Sequence, residues 1–365
     1  MKAIKKNFEL MQEIIFRTNY GKNIGLGHLY RCLKLAYELK KYYKIIFVID
    51  RKSKISDKII NFEIIELYKN SVFKNQIQDA HLLKNKIKDK DIKFLIVDDY
   101  RLNFNWEKFF FNNYQIVVFD DINKKRHKCH FIIDSKWTAE TTEKRYKTLV
   151  PKTCTRLLGP KYAMINKKLN KVVKKKNFLL YFGGSSNLSN YENIILELCI
   201  INKSLKNKIR IDLVIGPMAY NYSNIINYKK KFNFLNIIRN KFDLSMYLNR
   251  SKFAFSTSSS IIYELNYLNI PSCLFSTSEN QKNENSNLED LGFYLNINLK
   301  NFLNSNKREM LFKTLLENLD RINKLSKKKK ITIDNYGAKR IVYFLNYENK
   351  KIDNKITKIK FSPKK

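Results

Sequence analysis

Two glycines and a histidine stand within NIGLGHLYRC (23–32), where the apolar run EIIFRT (13–18) gives way to an amphipathic stretch. A strand, a glycine loop and a helix start in that order aim backbone N–H groups and the positive end of a helix dipole at whatever fills the loop, which suits an anion. An imidazole in that field is disfavoured as imidazolium, so His28 is expected to be a neutral base near pH 7. The loop matches neither common phosphate template: Tyr30 stands where a dinucleotide fingerprint needs its third glycine, and no Gly-Lys-Ser/Thr ending follows. The chain has only 9 glycines in 365 residues, far below the roughly 7% average, so Gly25 and Gly27 imply a backbone requirement.

Further polar groups follow other apolar runs. Asp98-Asp99 and Asp120-Asp121 could ligate Mg²⁺, orient a substrate or cap turns; Tyr100, directly after the first pair, is placed to line a cleft. GGSSN (183–187) repeats the glycine turn later in the chain, with Gly183 and Gly184 allowing close backbone approach. STSSS (256–260) offers hydroxyls and N–H groups at the start of a helix, and Glu264 lies one turn inside it. A carboxylate there can accept from two vicinal hydroxyls such as those of a ribose. SENQ (278–281) adds the side-chain amides of Asn280 and Gln281. His28, His81, His127 and His130 show no zinc-ligand spacing, and no metal or other cofactor is expected.

The elements that must position these groups alternate. Strands are expected at EIIFRT, YKIIFVID, FEIIELY, IKFLIVDDY, YQIVVFDD and HFIID, with a helix in HLYRCLKLAYELKK whose Leu29, Leu33, Ala36 and Leu39 share a face. A second series, NFLLYFGG, IDLVIG, LNIIRN, KFAFSTS and PSCLFSTS, is interleaved with the helical patterns YENIILELCI, DLSMYLNR and SIIYELNYLN. Strands alternating with helices imply parallel sheets covered on both faces. The expected organisation is an α/β chain of two Rossmann-like domains, 1–166 and 178–347, joined by the basic linker 167–177 (KKLNKVVKKKN) and followed by a basic tail, 348–365. After Phe293 a long polar helical stretch and one more helix around GAKRIVYFL are expected.

Composition bounds the partners. The hydrophobic share of 44% can fill two cores, while the net charge of +38 invites a nucleic-acid or membrane reading. Lys, Asn, Ile, Phe and Tyr are in excess together, as codon bias produces, so no nucleic-acid partner is expected and the field favours small anionic substrates. Five widely spaced cysteines without a CxxC pair suit reduced thiols in a cytoplasmic protein. No run approaches the ~20 apolar residues of a membrane span, so membrane contact is expected only peripherally, through a basic face.

Taken together these pieces resemble a family. IGLGHLYRCLKLA (24–36) is similar to the IGxGHxxRCLxLA signature of the hydrolases acting on UDP-2,4-diacetamido-2,4,6-trideoxy-β-L-altropyranose in pseudaminic acid biosynthesis, and of related spore-coat polysaccharide proteins. VDDY, FDD, LLGPKYAMI, FGGSS, SSSIIYE, ENQ and IDNYGAKRI resemble further family segments in order, over about residues 14 to 345. The resemblance implies a glycosyltransferase B type fold, with a nucleotide held by the second domain and a sugar facing the first. It implies His28 as the base that activates water and Tyr100 as a cleft tyrosine, the two counted as the catalytic residues. Substrate contacts are then expected from Gly25, Gly27, Arg31, Asp98, Gly183, Gly184, Ser259, Ser260, Glu264, Asn280 and Gln281, with Ser260 at the diphosphate and Glu264 at the ribose. Asp99, Ser186, Ser258, Ser259, Asn19 and Tyr20 depart from the family pattern. The implied activity is inverting hydrolysis of a UDP-sugar; a glycosyltransferase of the same fold, with an acceptor hydroxyl in place of water, is the alternative.

Overall fold

A computed structural model describes residues 11–22, 24–171, 175–276, 285–299 and 305–347. Two parallel sheets carry the architecture. The first contains β1 (Glu13–Thr18), β2 (Lys44–Ile49), β3 (Glu63–Glu66), β4 (Ile92–Asp98), β5 (Gln115–Phe119), β6 (Phe131–Asp134) and β7 (Thr155–Leu158), in the order β3-β2-β1-β4-β5-β6-β7. The second contains β8 (Asn177–Tyr181), β9 (Ile211–Ile215), β10 (Leu235–Arg239), β11 (Ser251–Thr257), β12 (Ser272–Ser276) and β13 (Leu295–Asn298), in the order β10-β9-β8-β11-β12-β13. Both have the doubly wound order, which reverses direction beside the first strand of each series and leaves a crevice there.

The apolar runs explain the strands. Every residue of β1 is buried, as a parallel strand covered on both faces requires. Two strands escape the expected pattern. TRLL (155–158) is an edge strand half made of polar residues, and LNIN (295–298) alternates Leu and Ile with Asn at the other sheet's edge, inside what reads as a polar helical stretch.

The last helix, Gly337–Tyr347, corrects the expected partition of the chain. Its Ile341, Val342 and Leu345 are buried among Leu29, Leu33 and Ala36 of the helix Gly27–Leu39, so it completes the first domain's core, although it follows the second domain in sequence. An apolar stripe records that it must be covered, without recording by which neighbour. A Cβ at Gly337 would overlap the Ala163 carbonyl, so glycine lets this helix start against the segment leaving the first domain.

Candidate active site

β1 and β4 are neighbours, and their carboxyl ends bring together residues that lie far apart in sequence. Asp98 ends β4, wholly buried, and faces the first turn of the helix Gly27–Leu39. His28 Nδ1 lies 2.7 Å from Asp98 Oδ1, and Arg31 forks onto the same carboxylate through Nε at 2.8 Å and Nη2 at 2.7 Å. A carboxylate only accepts, so Nδ1 carries the proton and Nε2 keeps its lone pair. Nε2 has no partner among the described residues.

The electrostatics reverse the expected sign at His28. Burial disfavours its charged form, but the adjoining Asp98 carboxylate outweighs burial and moves the imidazole above its ordinary 6.5. Burial would likewise raise Asp98, yet Arg31 and His28 hold it well below the usual carboxylate range. Asp98, expected to touch substrate, is instead enclosed and committed to these two side chains, as an orienting group would be.

Tyr100 closes the other side of His28, the two rings meeting edge to face at 4.5 Å. Its hydroxyl donates to Asp121 Oδ1, leaving its lone pairs to accept, and burial beside that carboxylate raises its pKa so that the phenol stays neutral. Arg31 Nη1 reaches Asp121 Oδ2 at 3.4 Å and completes the ring of contacts. The other acidic residues are engaged elsewhere. Asp99 is forked by Arg101 (Nε to Oδ1, 2.9 Å), and Asp120 accepts from the Tyr146 hydroxyl at 2.9 Å and from the Asn123 N–H at 3.1 Å. His127 is held by Glu107 at 2.7 Å, and His130 accepts from the Ile116 N–H at 3.0 Å, so both serve the fold.

The two glycine loops meet where the domains join. Gly25 has φ +86°, and a Cβ on it would sit 3.4 Å from Ser185 Oγ; a Cβ on Gly184 would come within 3.1 Å of Leu26 Cδ1. Gly183 also needs positive φ (+109°), whereas a Cβ on Gly27 meets nothing within 4 Å. Gly27 therefore opens space at a helix start that no side chain caps. From the second domain, half-buried Ser259 bonds Thr257 through its hydroxyl at 3.1 Å, and Ser260 is exposed at the start of the helix Ile261–Tyr267. Asn280 and Gln281 lie outside the described residues.

Glu264 has a partner that sequence reasoning missed. Its Oε1 accepts from Lys34 Nζ at 2.7 Å, an ion pair between the domains. Tyr30, one helical turn before Lys34, buries a hydroxyl without a described partner, in the field of Tyr181 and Asp243 of the second domain. Their spacing of four residues was the available signal, since it places both on one helix face.

Comparison with known proteins bears on this geometry. No protein-family model matches the chain. It is 25% identical over 260 residues, 69% of this chain and 87% of the other, to the UDP-2,4-diacetamido-2,4,6-trideoxy-beta-L-altropyranose hydrolase of Campylobacter jejuni. It is also 25% identical over 299 residues to an uncharacterized protein of Methanocaldococcus jannaschii, spanning 74% of this chain and 57% of that one. The MurG structure from Acinetobacter baumannii superposes over 92% of this chain and 99% of its own with a TM-score of 0.62 at 10% identity. The fold is glycosyltransferase B. The UDP-GlcNAc 2-epimerase of Neisseria meningitidis bound to UDP-GlcNAc shares it, covering 92% of this chain and 100% of its own, with a TM-score of 0.58 at 11% identity.

Proposed function

We propose that the chain hydrolyses a UDP-linked sugar, with His28 aiming water at the anomeric carbon and UDP leaving from the opposite face. The observation that carries this reading is the His28–Asp98 contact at 2.7 Å, which leaves Nε2 without a partner among the described residues, beside the carboxyl ends of the adjoining strands β1 and β4. A nucleoside diphosphate is a good leaving group, so holding its charge matters more than protonating it. The uncapped N–H groups of the helix start at Gly27 and the loops at Gly183 and Ser260 are available for that. Tyr100, neutral and with its proton directed to Asp121, accepts from a sugar hydroxyl or amide. The name of the Campylobacter relative supports a diacetamido-trideoxy sugar as the substrate, on the way to a nonulosonic acid.

Attack at carbon breaks the anomeric carbon–oxygen bond and inverts the centre, and the bridging oxygen departs with UDP. Turnover in ¹⁸O-labelled water is therefore expected to place label in the free sugar and none in UDP. Label in UDP would mean attack at phosphorus and remove His28 from the sugar. UDP release that depends on an added acceptor, with the sugar recovered as a glycoside, would make the chain a transferase.

Glu264→Ala is expected to weaken UDP binding by about 1–3 kcal/mol, the range for a charged hydrogen bond to a ribose. Calorimetry with UDP measures it. An unchanged affinity would restrict Glu264 to its pairing with Lys34.

A further inference from the structure

In a parallel sheet every strand starts at the same edge, so the segments leading into the adjoining β10, β9, β8 and β11 share one border of the second domain, opposite the crevice. On that border lie 170–171 and 175–177, KSLKNKIR (203–210), KKKFNFL (229–235) and NRSK (249–252), without a single aspartate or glutamate, while Lys167 and Lys168 turn away to Glu38 and Asp243. A further run, KLSKKKK (324–330), is folded onto the same border. Lys329 donates to Asn269 Oδ1 at 2.6 Å in the turn before β12, Lys175 donates to the neighbouring Leu268 carbonyl, and Lys171 lies 4.2 Å over the Tyr267 ring. Lysines from two distant runs thus converge on the end of one helix.

Nearby carboxylates are already engaged: Asp290 meets Lys330 at 2.9 Å, Asp334 meets Arg340 at 2.5 Å, and buried Asp212 holds Arg250. Burial first, then neighbouring lysines, push Lys175 and Lys329 down to about 8. The corresponding border of the first domain differs. There Lys44 and Lys90 pair with Glu13 and Glu63 at 2.9 to 3.7 Å. Among the described residues, carboxylates are thus interleaved with the lysines at the first domain's border, whereas the four segments of the second domain carry none.

We propose that this border of the second domain docks on anionic lipid membranes. Lysine predominates over arginine, and flexible, hydrated point charges suit the diffuse field of a headgroup layer better than the bidentate reading of bases. Exposed Tyr294 and Leu325, joined by a hydrogen bond of 3.3 Å from the tyrosine hydroxyl to the Leu325 carbonyl, add the amphipathic and apolar contacts that settle at a headgroup boundary. Docked in this way, the protein keeps its crevice turned toward water.

Flotation of the full chain with vesicles tests the proposal. At low salt the protein is expected to float with vesicles of equal parts phosphatidylglycerol and phosphatidylcholine and not with phosphatidylcholine alone. Changing Lys171, Lys176, Lys206, Lys208, Lys327 and Lys328 to Gln is expected to weaken binding at least about 10-fold, and the same change at six exposed first-domain lysines (Lys52, Lys54, Lys69, Lys74, Lys86, Lys88) less than about 3-fold. Changing the first six to Arg should retain binding, which separates charge from folding. Equal losses in the two Gln sets would reduce the effect to net charge and overturn the proposal. So would failure to float at low salt, or tighter binding to duplex DNA with the same dependence on the border.

Discussion

Replacing His28 by alanine is expected to slow sugar release by about 10²- to 10⁴-fold, the usual cost of losing a general base. The nucleotide rests mainly on the second domain in this reading, so UDP affinity should stay close to that of the parent. Initial rates on a UDP-linked diacetamido sugar, with calorimetry on UDP, measure both. A variant keeping more than about a tenth of the parent rate would remove His28 from the role of base. The pH profile adds a sign. The base works only when neutral, and Asp98 raises its pKa above 6.5. Log kcat/KM should therefore fall on the acid side, with its limb above that value.

Asp98→Asn is expected to reduce both rate and stability. With the carboxylate gone, burial and Arg31 oppose the charged form of His28 against Asp121 only, so its pKa drops and the acid limb moves to lower pH. The amide can also hold the imidazole in the wrong tautomer, and a loss of about 10²- to 10⁴-fold in rate is expected. Arg31 is left with its buried counter-charge removed, a change that costs about 3–5 kcal/mol. Denaturant midpoints and pH–rate profiles separate the two effects. A lowered midpoint with an unmoved acid limb would confine Asp98 to structure.

Much of the architecture is legible locally. Runs such as EIIFRT and YKIIFVID fold as buried parallel strands because their apolar stretches, 14–16 and 45–49, offer no polar face to water, and their repetition in two series implies two sheets. The glycines of NIGLGHLYRC and GGSSN mark turns because Gly25 and Gly183 take positive φ, which side chains resist. The edge strands TRLL and LNIN were not legible, since a strand covered on fewer sides needs fewer apolar residues.

Which side chains meet was decided only in three dimensions. The sheet order sets β1 beside β4, and that adjacency, rather than any spacing in the chain, delivers Asp98 to His28 and Arg31. From sequence, His28 feels only its own helix and is expected to be held neutral. In the fold a carboxylate 2.7 Å away dominates, because a full charge at hydrogen-bond distance in a dry site outweighs a helix dipole. The same reason covers Lys34 with Glu264 and the closing helix against Leu29 and Leu33: each partner comes from the other end of the chain, and only the packing of layers chooses it. Local sterics and hydrophobic periodicity determine the elements, while the contacts between elements, where charge and chemistry reside, belong to the tertiary structure.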